Sequence, residues 1–377
     1  MNKLYRPRTP AMGSRPKRRR LNPKILIFAL LLVVLAAAVF ITLNLLKSSS
    51  DTLASGIEMP FTAGQEFFAV SDGIVYVTGA ELKCINFKGE EKWSSSIAFT
   101  DASTAHSPTL IATWKGSAVQ LFDISGNLLF KNDFLGNIQL VRCGVQFVSV
   151  LSRDDAGELS LTVLNTTGEK LQELPMTDQN LLDFGFTGEL DMLWTLMLDT
   201  EGSVPISKIM TYKLESNSIV GMVTINDQIP HKLFFTVDEI YVIGTNHIML
   251  YDYVNTRKSS HLVYGWELAV ANAASSPITL AFTPRDDATL DATITTARVI
   301  RPGREEASYN LPPSCFKIAL GSSKLYAFTP NGMQSNSFDS DSKTFYRFAT
   351  PIEAAYPVGT THALIQTLNG LELIALP

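Results

Sequence analysis

Three acidic clusters are the residues whose types and spacing come closest to supporting chemistry. They are Asp154-Asp155, Asp286-Asp287 and Asp339-Ser340-Asp341. Carboxylate oxygens suit calcium, and paired carboxylates can act as general acid and base. None of the clusters has the alternating Asp loop with Gly of a calcium site, so we interpret them as solvated turn residues. A cell-surface hydrolase or lyase that uses these acidic residues is the alternative function.

Histidine, cysteine and serine offer no catalytic or metal-binding pattern. The five histidines are scattered singly, no Cys/His spacing suits zinc, and no G-x-S-x-G nucleophile turn occurs. We therefore predict no catalytic residue, no cofactor and no metal site. The three cysteines, Cys84, Cys143 and Cys315, are far apart, and we expect them to be buried as small apolar residues.

Four tryptophans could form a stacking platform for a sugar, because aromatic faces bind sugars and cationic groups. They lie in or beside strand-like runs, which favours packing in a core. The four are Trp93, Trp114, Trp194 and Trp266.

Charge is distributed very unevenly along the 377 residues. Residues 1–47 carry ten Lys and Arg and no Asp or Glu, which leaves 21 basic against 36 acidic residues, a net charge of −15, for the rest. Phosphate binding needs a basic surface, so the acidic part is not expected to bind nucleic acid. The basic head lies beside an apolar run, where contact with anionic lipid is the preferred interpretation.

Residues 25–46 are apolar except for Thr42 and Asn44. A helix of this length is roughly 33 Å long and spans a bilayer. Because nine of the ten basic residues precede it, the positive-inside rule places the N-terminus in the cytoplasm and the rest outside. A cleaved signal peptide is the alternative, but its apolar region would be shorter. The predicted organisation is a basic cytoplasmic head (1–24), a transmembrane helix (25–46), a linker (47–55) and an extracytoplasmic domain (56–377).

The exported part reads as all-β. Runs such as Ile74–Val77 and Ile240–Ile243 are apolar at every position, which is typical of strands covered on both faces. A repeating pattern of two apolar strands, a Gly- or Asn-marked hairpin and a more polar strand recurs every 37 to 49 residues. The marks are Lys88-Gly89, Ser125-Gly126, Thr167-Gly168, Ser216-Asn217, Asn255-Thr256, Pro302-Gly303 and Ser340-Asp341.

After these seven marks, residues 362–376 form a unit that lacks its outer strand. Residues 56–61 could supply it and close a ring, which removes exposed strand edges. We therefore predict an eight-bladed β-propeller. Seven blades remain possible if one long unit is misdivided, and two tandem β-sandwiches are a further alternative.

Val75–Gly79 followed by Lys83–Trp93 resembles the blades of quinoprotein-like and YVTN-type β-propellers, and residues 241–252 repeat its first half. The whole arrangement is similar to a family of uncharacterised membrane-anchored bacterial propeller proteins. Quinone-dependent dehydrogenases of this fold bind their cofactor beside adjacent cysteines and calcium, and this chain has no adjacent cysteines. The resemblance therefore implies a non-enzymatic scaffold, like the propeller lipoprotein of outer-membrane assembly.

The predicted function is a single-pass, membrane-anchored propeller that binds or assembles other molecules outside the cytoplasm. Its expected partners are the lipid bilayer, through residues 25–46, and an envelope protein or cell-wall polymer. Signalling through the short cytoplasmic head, which could act as a docking peptide, is a third possibility.

Overall fold

The structure is a computed structural model that describes residues 50–53, 56–176, 180–188, 191–216, 218–285 and 293–377. Residues 51–377 form one compact unit. The predicted head, the predicted transmembrane segment 25–46 and most of the predicted linker lie outside the described residues. Among the residues that are described, no helix has the length and apolar character needed to cross a membrane.

Eight antiparallel sheets, which we number as blades 1 to 8 in chain order, make up residues 57–375. The first four blades are β3 (Phe67–Val70), β4 (Gly73–Thr78), β5 (Glu81–Asn86) and β6 (Glu91–Ser96); β7 (Ser103–His106), β8 (Leu110–Lys115), β9 (Ala118–Asp123) and β10 (Leu128–Asp133); β11 (Asn137–Cys143), β12 (Phe147–Arg153), β13 (Leu159–Asn165) and β14 (Lys170–Pro175); and β15 (Asn180–Phe186), β16 (Leu193–Asp199), β17 (Ile206–Lys213) and β18 (Ser218–Ile225), with a short 3-10 helix at Leu214–Ser216.

The last four blades follow the same order. They are β19 (Pro230–Phe235), β20 (Ile240–Gly244), β21 (His247–Tyr251) and β22 (Arg257–Leu262); β23 (Trp266–Asn272), β24 (Thr279–Pro284), β25 (Thr296–Ile300) and β26 (Ala307–Asn310); β27 (Lys317–Leu320), β28 (Lys324–Thr329), β29 (Gly332–Ser337) and β30 (Lys343–Arg347); and β31 (Ile352–Val358), β32 (His362–Thr367), β33 (Gly370–Ala375) and β2 (Ile57–Glu58).

The first strand of each blade lies nearest the central axis. First strands of neighbouring blades contact one another, as β7 does with β11, β11 with β15, β23 with β27 and β27 with β31. The connections from first to second strand and from third to fourth strand therefore share one face of the ring, which we call the hairpin face. The connections from second to third strand and between blades share the opposite face.

The ring closes where the sequence predicts. In β2, Ile57 pairs with Leu373 and Glu58 with Glu372, and the Met59 N–H donates to the Leu371 carbonyl at 2.9 Å. The N-terminal segment thus supplies the outer strand that the C-terminal unit lacks. The prediction of eight blades is confirmed, and the alternatives of seven blades and of tandem β-sandwiches are wrong.

The hydrophobic core of the described residues is divided into eight clusters, one between each pair of neighbouring blades. Second strands supply much of it: Ile74, Val75, Val242 and Ile243 have no accessible surface. These fully apolar runs occur because each inner strand is covered by a blade on either side.

Two details differ from the sequence analysis. Each blade has a first strand that the repeating pattern did not include. The predicted linker also contains a short strand, β1 (Ser50–Thr52), which the sheet order places as a fifth strand beside β30 in blade 7.

Candidate functional site

A groove of about 860 Å³ lies on the hairpin face across blades 4, 5 and 6. We call it the blade 4–6 groove. Its volume is within the range of about 300–1,000 Å³ typical of ligand pockets. Its walls come from the first-to-second-strand connections of these three blades and from the third-to-fourth-strand hairpin of blade 6.

Unequal loop length creates this groove. The first-to-second-strand connections of blades 4 and 6 run over residues 187–192 and 273–278, whereas those of blades 1, 2 and 3 run only over 71–72, 107–109 and 144–146. The two long connections flank the shorter one of blade 5, residues 236–239, and leave a trough above it. Binding sites are commonly formed by loops that are longer than the connection between two strands requires.

The loop of blade 4 is held against blade 3 by Asp191. Its carboxylate accepts hydrogen bonds from the backbone N–H of Val145 at 2.8 Å and of Gln146 at 2.7 Å. Gly144 permits this approach, because a Cβ there would lie 2.2 Å from Asp191 Oδ1. Burial raises the pKa of Asp191, and the two N–H donors oppose that effect.

The loop of blade 5 is held by hydrogen bonds of its own. Thr236 N–H donates to the Glu239 carbonyl at 2.9 Å, and Glu239 N–H donates to Thr236 Oγ1 at 3.1 Å. The Tyr253 hydroxyl, from the neighbouring hairpin, donates to the Thr236 carbonyl at 2.8 Å. The loop of blade 6 turns about Ser275, whose hydroxyl lies 2.8 Å from the Asn272 carbonyl.

Glu239 and Arg304 are the charged residues of the groove wall. Lys258 approaches Glu239 Oε1 at 3.3 Å, and the Tyr241 hydroxyl donates to Glu239 Oε2 at 3.2 Å. Burial, with the charge of Glu239 added, raises the pKa of Tyr241 to about 12, so this phenol stays a neutral donor. Arg304 is exposed and forms no ion pair within the described part of the chain.

The remaining wall is a mixture of apolar side chains and hydroxyls, among them Phe235, Leu250, Ile278, Thr187 and Ser275. The Phe235 ring stacks on Trp194 with centroids 5.2 Å apart, which fixes it in place. Such a lining can bury apolar groups and hydrogen-bond a peptide. In the described ranges, no three His, Cys, Asp or Glu side chains are grouped closely enough to bind a metal.

Of the acidic clusters considered in the sequence, Asp154-Asp155 and Asp339-Ser340-Asp341 do not line this groove. Asp154 turns the second-to-third-strand connection of blade 3, where its carboxylate accepts the Glu158 N–H at 2.8 Å. Asp339 lies in the third-to-fourth-strand hairpin of blade 7, on the hairpin face, 3.3 Å from Arg301. Asp286-Asp287 lies outside the described residues.

The tryptophans and cysteines are also dispersed. Trp114 and Trp194 are buried, whereas Trp93 and Trp266 pack against core clusters from partly exposed positions. Cys84 and Cys315 are buried, but Cys143 is half-buried at the end of β11. Burial raises the pKa of the Cys84 and Cys315 thiols to about 11 and that of Cys143 to about 12.

The groove residues were not singled out from the sequence. A signal was present, since the two longest intervals between hairpin marks contain blades 4 and 6. Extra length in a repeat indicates an enlarged loop, although it does not tell which connection is enlarged.

Eight closed blades around an axis, with a groove on one face, define this chain as a β-propeller with a candidate binding surface. It belongs to a family of unknown function, DUF5711, whose model matches residues 47–370. Among curated proteins, none matches the chain.

Solved structures share the fold at low identity. The C-terminal WD40 domain of Sif2 matches at 10% identity with a TM-score of 0.56, covering 87% of this chain and 99% of that one. Sqt1 of Saccharomyces cerevisiae matches at 10% with a TM-score of 0.54, covering 87% and 100%. BamB from Moraxella catarrhalis matches at 9% with a TM-score of 0.50, covering 86% and 97%. At such identities the likeness shows the fold alone.

Proposed function

We propose that this chain is a membrane-tethered propeller that binds an extended segment of an envelope protein in the blade 4–6 groove, outside the cytoplasm. The observation that carries the proposal is the groove itself, which exists because two connections on one face are longer than a closed blade requires. Propellers host many functions, so the site rather than the fold supports this one.

Exposed apolar residues in the groove wall and in the hairpin of blade 5 favour a protein partner. Val237 is 47% exposed and Val254 is 76% exposed. They follow Thr236 and Tyr253, whose hydrogen bond ties the loop of blade 5 to its own hairpin. Apolar side chains at the rim of a concave, hydroxyl-rich surface are typical of a protein interaction site.

The tether is proposed from the sequence. Residues 25–46 have the length and composition of a membrane helix, and the basic residues before it favour a cytoplasmic N-terminus. The net charge of −15 after residue 47 makes a protein or polymer partner more favourable than a nucleic acid.

Photo-crosslinking tests the groove. The full-length chain would carry a photoreactive amino acid at Val237 or, as the matched control, at Leu368, an 86% exposed apolar residue in the second-to-third-strand connection of blade 8, on the opposite face. We expect one protein to be crosslinked in native membranes from position 237 and not from 368. The further change Val237→Asp should weaken its capture by about tenfold or more. Equal crosslinking from both positions would contradict the groove as the site.

Cysteine labelling tests the tether and its orientation. A membrane-impermeant maleimide should label Leu368→Cys in spheroplasts, and it should label Ser14→Cys only after the membrane is opened. The three native thiols interfere little, because the thiolate is the reactive form and their raised pKa values leave little of it at neutral pH. Labelling of Ser14→Cys alone in spheroplasts would reverse the orientation.

A further inference from the structure

Aromatic side chains cover the junction between blades 1 and 2 and the junction between blades 2 and 3. Trp93 of β6 lies against the hairpin of blade 2, where a Cβ on Gly126 would stand 2.5 Å from the indole. Phe130 of β10 lies against the hairpin of blade 3 in the same way, 3.0 Å from the position of a Cβ on Gly168. The outer strand of one blade thus places a ring on the hairpin of the next.

The strand register identifies the equivalent position in blade 5. Trp93 pairs with Cys84 and Phe130 with Leu121, each directly after an irregularity between the third and fourth strands. In blade 5 the residue that pairs with Leu250 after the same irregularity is Ser259. A hydroxymethyl group therefore stands where blades 1 and 2 carry an aromatic ring.

The missing ring leaves a cavity of about 230 Å³ between Ser259 and the hairpin of blade 6. We call it the blade 5–6 cavity. Ile248, Leu250 and Ile300 line its apolar side, and around Gly303 no atom lies within 4 Å of where a Cβ would be. An apolar cavity of about 150 Å³ accepts benzene, so the volume here is sufficient for an aromatic side chain.

The cavity adjoins the blade 4–6 groove. Both are lined by Tyr241, Leu250 and the turn Pro302–Arg304. A segment lying in the groove can therefore place a side chain in the cavity without leaving the surface.

The charged residues at the cavity mouth determine which chemical group can lie beside an aromatic ring bound in the cavity. Glu306 is already paired, since Arg298 Nη2 lies 2.8 Å and His261 Nε2 3.0 Å from its Oε2. Arg301 lies 3.3 Å from Asp339. Arg304 is the cation at the mouth without such a partner in the described residues. A guanidinium attracts a carboxylate and also the face of an aromatic ring.

We propose that the blade 5–6 cavity binds an aromatic side chain of the partner, and that Arg304 pairs with a carboxylate next to that ring. The proposal deepens the function proposed above and rests on it. It names the chemistry of the anchor residue that the partner must carry.

Two small probes test it on the full-length chain in lipid nanodiscs. Indole tests the cavity, and indole-3-propionate tests the cavity together with Arg304, with binding followed by saturation-transfer NMR. We expect saturable binding of both probes to the wild type. Ser259→Phe should abolish it, because the new ring fills the cavity as Phe130 does in blade 2. Ser94→Phe, at an exposed position beside Trp93 in blade 1, should leave binding unchanged.

Arg304→Ala should weaken indole-3-propionate by about two- to five-fold and leave indole unchanged. Equal binding to the wild type and to Ser259→Phe would overturn the proposal. So would a lower melting temperature of Ser259→Phe, since the ring would then not fit. These assays need no partner. Probe binding with no crosslinked protein at Val237 would therefore count against the proposed function alone, and the reverse result would count against the cavity alone.

Discussion

The Asn86 side chain forms two hydrogen bonds with Glu90 across the third-to-fourth-strand hairpin of blade 1. Asn86 Oδ1 accepts the Glu90 N–H at 3.0 Å, and Asn86 Nδ2 donates to Glu90 Oε2 at 2.8 Å. Asn165 and Glu169 repeat this arrangement in blade 3. In blade 2 the residue types are exchanged, with Asp123 as the acceptor and Asn127 as the donor. The same hydrogen-bonded turn is therefore formed by two different residue pairs, Asn with Glu in blades 1 and 3 and Asp with Asn in blade 2.

The exchange predicts a rescue experiment. Asn86→Asp keeps the acceptor for the backbone but turns a donor–acceptor contact into two facing carboxylates, and should cost about 0.5–1.5 kcal/mol in the free energy of unfolding. Adding Glu90→Asn recreates the pair of blade 2 and should return the stability to within about 0.5 kcal/mol of the wild type. Urea denaturation measures both. A double variant no more stable than the single one would show that the pair does not act as a unit.

Gly126 allows a second prediction, because its backbone is left-handed at φ +85 and Trp93 lies against it. Gly126→Ala adds backbone strain and a clash with the indole, and should cost about 2–4 kcal/mol. Gly116→Ala is the matched control, since Gly116 has φ +61 and nothing within 4 Å of its Cβ position. It should cost about 1 kcal/mol. Equal losses in melting experiments would mean that contact with Trp93 adds nothing.

Much of the ring could be predicted because its strands carry local signals. The hairpin marks fall between third and fourth strands in all seven blades where they occur. The missing outer strand after Leu371 pointed to the N-terminal segment that supplies it. The first strands could not be predicted in this way. Ser103–His106, for example, is short and mixes exposed with half-buried residues, because a strand at the axis is covered less than its neighbours.

The groove could not be predicted from the sequence. Glu239, Arg304 and Thr187 come from three different blades, and only the closed ring brings their loops together. Their spacing along the chain does not indicate that these residues lie close together in the fold. The blade 5–6 cavity exists because Ser259 occupies the register position at which blades 1 and 2 carry an aromatic residue. This equivalence can be recognised only when the strand registers of the blades are aligned.

Glu306 predicts a pH dependence. The hydrogen bond from Arg298 lowers the pKa of Glu306, and His261 contributes in the same direction although burial opposes it. Because the folded pKa is lowered, the unfolded chain takes up the proton first as the pH falls. The stabilisation is therefore present above the unfolded pKa of about 4.3 and is lost as the pH falls through the folded value.

Glu306→Gln should accordingly reduce the melting temperature at pH 7, and the difference from the wild type should shrink towards pH 3. Glu305→Gln is the control, because Glu305 is exposed and forms no ion pair among the residues that the structure describes. It should melt like the wild type throughout. A Glu306→Gln deficit that stays constant with pH would instead indicate lost packing.

Asp191 provides the test of how the groove is held open. Asp191→Ala removes the acceptor of the Val145 and Gln146 N–H groups and should cost about 1–3 kcal/mol in total, because these hydrogen bonds are partly buried and water can replace the carboxylate in part. Asp191 also has a left-handed backbone at φ +46, so the substitution adds strain. Asp101→Ala isolates that strain, because Asp101 has φ +55 and is exposed.

Hydrogen exchange then separates a local from a global effect. Amides 145 and 146 should exchange at least tenfold faster in Asp191→Ala, while those of blades 7 and 8 keep their wild-type rates. In Asp101→Ala both regions should be unchanged. If Asp191→Ala also weakened crosslinking from Val237, the position of the blade 4 loop would be shown to matter for partner binding. Unchanged exchange at 145 and 146 would mean that something other than Asp191 protects these amides.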